Sequence, residues 1–162
     1  MFAEGLEKRA EFLLAACRGK GHRIATAESC TGGLIASLLT AVAGSSDVFE
    51  RGFVTYTNLA KQQMLGVDAT LFETVGAVSE QVARAMAEGA LRHADASLAV
   101  SVTGIAGPGG GSEEKPVGLV HMAVARADGI TGHQRHQFTG DRASVRLQTV
   151  NAAVRMLTDA TA

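Results

Sequence analysis

Helical and extended patterns alternate from one end of this sequence to the other. Leu6, Leu13, Leu14 and Cys17 recur at helical spacing within residues 3–18, and Gly19 and Gly21 close that segment. Residues 23–27 read as a short strand, and the apolar run 34–43 as a buried helix stopped by Gly44. Aromatic and β-branched residues mark a strand over 49–57. Asn58 is placed to cap a short helix that carries Lys61 and stops at Gly66. Ser79 caps the next helix, with Glu80 where the helix dipole favours an acid, and Val82, Met86 and Ala90 form its apolar stripe. Strands follow at 98–103, 119–125 and 131–138, the last polar enough for a sheet edge. Asp141 opens a final helix whose inner face is read as Leu147, Val150, Val154 and Leu157. This alternation predicts one α/β domain over residues 1–162, a three-layer α/β/α sandwich with a mostly parallel sheet. The hairpin-like last two strands leave room for a mixed sheet.

Composition narrows the class of activity. A chain of 162 residues that is 46% hydrophobic and 19% charged can bury a core, and only two prolines leave little room for linkers. The formal net charge of -1 lacks the basic excess that phosphate-backbone binding needs, so no nucleic-acid partner is expected. Cys17 and Cys30 are too few for a disulfide framework, and no stretch reaches the ~20 apolar residues of a membrane span. A reduced, cytoplasmic protein without membrane contact is the expectation.

Five places carry residues suited to chemistry. The run 28–33, Glu-Ser-Cys-Thr-Gly-Gly, stands where a strand gives way to a helix. In open α/β sheets that is where ligands bind. Thr31 is read as the helix cap, with Gly32 and Gly33 leaving the first N–H groups uncovered for an anion or oxyanion. A plain N-cap with a tight glycine turn fits the same residues. Lys61, one of four lysines, falls in the first turn of its helix, where the dipole and burial would lower its pKa and make it a base. Taken alone, Lys61 is better read as an exposed lysine on a short helix, the usual fate of lysine. Tyr56 ends the preceding strand and would either pack under the site or donate to it. The loop 104–118 is long and glycine-rich, includes Gly107, and suits close approach to a phosphate. Its Glu113, Glu114 and Lys115 could be no more than a solvated tip. Arg142 could grip a phosphate or sit in a surface ion pair. The five histidines show no metal-ligand spacing, so no metal and no cofactor is expected.

These runs together resemble the CinA C-terminal domain family. They are TAESCTGG from Thr26, AGSSDVFERGFVTYTNLAK from Ala43, GAVSE from Gly76, VSVTGIAGPGGGSEEKPVG from Val100 and FTGDR from Phe138, in the family's order over nearly the whole chain. The resemblance implies an α/β/α sandwich and hydrolysis of nicotinamide mononucleotide to nicotinic acid mononucleotide and ammonia, in pyridine nucleotide recycling. It implies Ser29 as nucleophile and Lys61 as its base. Supporting positions fall on Tyr56, Thr103 and Arg142, and the backbone around Thr31, Gly32 and Gly33 is assigned to the oxyanion. The expected partners are this small-molecule substrate and further copies of the chain in a homo-oligomer. A non-catalytic pyridine-nucleotide-binding or scaffold domain is the alternative.

Overall fold

The computed structural model describes residues 1–162, and the alternation read from the sequence takes shape as six helices and five strands. In chain order they are α1 (Glu4–Lys20), β1 (Ile24–Glu28), α2 (Leu34–Ala41), β2 (Phe49–Val54) and α3 (Asn58–Leu65). There follow α4 (Ala69–Thr74), α5 (Glu80–Arg92), β3 (Leu98–Gly104), β4 (Leu119–Arg126), β5 (Thr131–Gln137) and α6 (Arg142–Thr161). A 3₁₀ turn at Ser45–Asp47 leads into β2. The one element without a sequence signal was α4, which is six residues long and has no fully buried side chain.

All five strands join one sheet in the order β2-β1-β3-β4-β5. β1 is parallel to both β2 and β3, whereas β3–β4 and β4–β5 are antiparallel. The sheet is therefore mixed, with its parallel part confined to the half that holds β1. The polar strand β5 lies at an edge, as its composition indicated. The second strand is shorter than expected, ending at Val54 rather than at residue 57.

One helical layer consists of α1, α2 and α6, and the other of α3, α4 and α5. Strand alternation divides the core between them. Ile24 of β1 and Leu98, Val100 and Val102 of β3 face the first layer, within a large cluster that includes Leu13, Leu38 and Leu157. Ala25, Ala27 and Ala99 face the second, where small residues bring α5 close to the sheet. Ala83 and Ala87 of α5 meet Ala123 and Ala125 of β4 in the same way. Along α6 the buried face holds Val150, Val154 and Leu157 as expected, but Leu147 is exposed. Leu147 therefore does not belong to the inner face; the helix turns it away from α1 and the sheet.

Candidate active site

The C-terminal ends of three neighbouring parallel strands build the site. Ser29 follows β1, Tyr56 and Lys61 follow β2, and Thr103 lies at the end of β3. The Ser29 N–H continues the ladder by donating to the Val102 carbonyl, and the Thr55 N–H donates to the Glu28 carbonyl. Ser29 is thus held by the sheet rather than by a free loop. Lys61 reaches it from α3. The fourth residue of that helix, it points back toward the helix start, as helical side chains do. Its Nζ lies 2.9 Å from Ser29 Oγ and donates to the Thr55 carbonyl at 2.9 Å.

Lys61 is only 2% exposed. Burial disfavours the ammonium and brings its pKa down from 10.5 to about 8. Of the two causes expected for this shift, the helix dipole and burial, it is burial that lowers it. Tyr56, one of the residues expected to bury it, is itself 57% exposed and lines the pocket beside Lys61. The helix start also differs: Thr57, not Asn58, is the cap, accepting from the Ala60 N–H, and Asn58 instead lines the pocket. Cys30, next to Ser29, is buried, and burial pushes its thiol up to about 11. It is held as a thiol at neutral pH and is a poor rival to the serine.

Thr31 does not cap α2. Gly33 holds the cap position in a left-handed conformation, φ 101°, with no side-chain cap. The cap is supplied from the preceding strand by Glu28, whose fully buried carboxylate accepts from the Ile35 N–H at 2.8 Å and the Ala36 N–H at 3.0 Å. The Thr31 hydroxyl donates to the same carboxylate at 2.6 Å. The Ile35 and Ala36 N–H groups at the start of α2 are therefore already taken by the Glu28 side chain and are not open to a substrate. Of the residues assigned to the oxyanion, Gly32 donates its N–H to the Ser29 carbonyl, while the N–H groups of Thr31 and Gly33, and that of Cys30 before them, meet no protein acceptor.

A pocket of about 210 Å³ opens over the serine, lined among others by Ser29, Lys61, Tyr56, Asn58, Thr103 and Arg142. Thr103 is tied by its hydroxyl to the Ala77 carbonyl at 2.8 Å. Arg142, the first residue of α6, donates to the Gly107 carbonyl at 2.9 Å and to the Tyr56 hydroxyl at 2.8 Å. It ties the glycine loop to the pocket mouth and keeps other N–H donors free. Gly107 (φ 83°) has no room for a side chain, because a Cβ would press on Val117. Lys115 is not part of a solvated tip: its Nζ donates to the Val75 carbonyl at 2.5 Å and closes the loop over α4. A larger cavity of about 400 Å³ lies between α1 and α6, lined by Lys8, Arg9 and Phe12, and contains none of these residues.

The sequence reading gave no role to two residues of this neighbourhood, Glu28 and Arg146. Arg146 donates to the Cys30 carbonyl and to the Thr31 carbonyl, each at 3.1 Å. It stands one helical turn after Arg142, a spacing that puts both on one face of α6 and would have drawn attention to it.

The family model of the CinA C-terminal domain matches residues 6–161. The chain belongs to the CinA C-terminal domain family. It is 57% identical over 134 residues to the nicotinamide-nucleotide amidohydrolase PncC of Enterobacter agglomerans, covering 83% of this chain and 82% of that one. With the protein of the same name from Escherichia coli (strain K12) it shares 54% over 144 residues, 88% of this chain and 86% of that one. A CinA-like protein of Anaeromyxobacter dehalogenans is 50% identical over 97% of this chain, which spans only 38% of that protein's length. Among solved structures, the competence/damage inducible protein CihA from Agrobacterium tumefaciens superposes with a TM-score of 0.96 at 51% identity, covering 98% of this chain and 97% of that chain.

Proposed function

We propose that this CinA-domain chain is an amidase that converts nicotinamide mononucleotide to nicotinic acid mononucleotide and ammonia by a serine–lysine mechanism, as a step of NAD recycling. The 2.9 Å contact between Lys61 Nζ and Ser29 Oγ, made by a buried lysine with a lowered pKa, carries this reading. The names of the two amidohydrolase relatives supply the substrate.

A neutral Lys61 keeps its lone pair for the Ser29 hydroxyl while an N–H holds the Thr55 carbonyl. The serine proton passes to Nζ as Oγ bonds to the carboxamide carbon, and the carbonyl oxygen becomes an oxyanion beside the unpaired N–H groups of the 30–33 turn. The lysine ammonium then protonates the departing nitrogen, the C–N bond breaks, and ammonia leaves. Water gives a proton to Lys61 and attacks the acyl-serine, releasing the acid and returning the proton to Ser29. Arg142 at the pocket mouth suits the phosphate.

The test is ammonia release from nicotinamide mononucleotide and from free nicotinamide by the wild type, Ser29→Ala and Lys61→Ala. The mononucleotide should be strongly preferred, and each variant should lose turnover by a similar, non-additive factor while remaining folded. Cys30→Ala should stay active. Binding of the mononucleotide without ammonia release would instead favour a non-catalytic nucleotide-binding domain.

A further inference from the structure

We infer that Arg146 is a positioning residue for this reaction: it fixes the peptide that presents the Thr31 N–H, which with the Cys30 N–H receives the oxyanion. The inference rests on the serine–lysine reading and deepens it. Glu28 already fills the N-terminus of α2, so the helix itself has no open donors for a developing charge. The turn 29–32 has two. The N–H groups of Cys30 and Thr31 follow Ser29 directly, belong to residues that are 5% and 0% exposed, and have no acceptor in the protein. Buried N–H groups are almost always paired, and a pair left open beside a nucleophile points to a ligand atom.

Each of these donors is anchored from behind. A trans peptide points its C=O and N–H in opposite directions. The peptide that carries the Cys30 N–H is held by its Ser29 carbonyl, which accepts from Gly32 at 3.0 Å. The peptide that carries the Thr31 N–H is held by its Cys30 carbonyl, which accepts from Arg146 Nε at 3.1 Å. A second guanidinium bond, from Nη2 to the Thr31 carbonyl at 3.1 Å, fixes the next peptide as well. A cation on the carbonyl side also polarises the amide, which strengthens its N–H as a donor. Arg146 does not line the pocket, and its guanidinium engages the Cys30 and Thr31 carbonyls rather than the serine hydroxyl. Its two nitrogens engage two consecutive carbonyls, a fork that a lysine cannot reproduce.

The experiment measures steady-state ammonia release by purified Arg146→Lys and Arg146→Ala, with Ser29→Ala alongside. Removal of one oxyanion donor costs about 10²–10³ in kcat, so losing its anchor should cost about tenfold to a hundredfold in kcat. KM and the midpoint of the pH profile should be preserved, because neither substrate contacts nor Lys61 are altered. Guanidinium chloride at sub-denaturing concentration should restore part of the Arg146→Ala rate and none of the Ser29→Ala rate. Full activity in Arg146→Lys overturns the inference. A raised KM at constant kcat, a displaced pH midpoint, or loss of folded signal without guanidinium rescue overturns it too. Turnover by Ser29→Ala would remove the serine–lysine reading itself, whereas an inactive Ser29→Ala beside a fully active Arg146→Lys removes only the role of Arg146.

Discussion

Burying an amine with no carboxylate beside it sets the behaviour of Lys61. Its pKa of about 8 leaves a usable neutral fraction at physiological pH, which a solvated lysine near 10.4 does not have. We expect kcat/KM to rise with pH through a single ionisation near 8, and Lys61→Arg to be inactive across the range because a guanidinium stays charged. An active arginine variant would exclude the general-base role. The same shift has a stability consequence. Below pH 8 both folded and unfolded chains hold the lysine proton, so its contribution does not change with pH. From about 8 to 10.5 the unfolded chain keeps a proton that the native one has released, so native stability rises. The displacement corresponds to roughly 3 kcal/mol. Urea unfolding of the wild type and Lys61→Met should therefore diverge in favour of the wild type by that order between neutral pH and pH about 11. A pH-independent difference would contradict it.

At the level of elements, α3 is held in register by its contact with α5. Gly89 of α5 has no space for a side chain, since a Cβ there would overlap the Leu65 carbonyl at the end of α3. Overpacking of this kind costs about 1–3 kcal/mol. Lys61 lies one turn before Leu65, so Gly89→Ala should also move the amine away from Ser29. The expected outcome is a lower melting temperature together with a fall in kcat larger than the remaining folded fraction explains. Unchanged kcat in the folded variant would mean that α3 absorbs the displacement without moving Lys61. The caps at Ser79 and Asp141 were visible in the sequence, because their hydroxyl and carboxylate act on N–H groups three residues away. The cap of α2 was not visible. Glu28 reaches seven and eight residues along the chain, and only the strand-to-helix turn brings it there.

At the scale of the whole molecule, the near-zero net charge sets what the surface attracts. A formal charge of -1 offers no counterion-release drive toward a polyanion. A fluorescence anisotropy titration against duplex DNA at physiological salt should give no tight binding; strong, salt-sensitive binding would contradict this. No helix is long and apolar enough to cross a membrane.

Local chemistry carried much of the architecture. The alternation of periods, the apolar central strands, the polar edge strand and two helix caps are each decided within a few residues, so they are readable from neighbours along the chain. Ser29 and Lys61 are singled out by the resemblance of the runs that carry them, since local chemistry alone fits a plain helix start and a surface lysine. What the sequence left open is everything set by sheet order and layer. Ser29 and Lys61 are 32 positions apart, and only parallel pairing of β1 with β2 brings the chain back to within 2.9 Å. The same folding leaves Tyr56 exposed at the pocket mouth and turns Leu147 outward, though periodicity suggested burial for Leu147. It also delivers Arg146 from the last helix to carbonyls 115 and 116 residues away. Spacing along a chain determines which face a side chain takes; which partner waits on that face is decided by how the layers close.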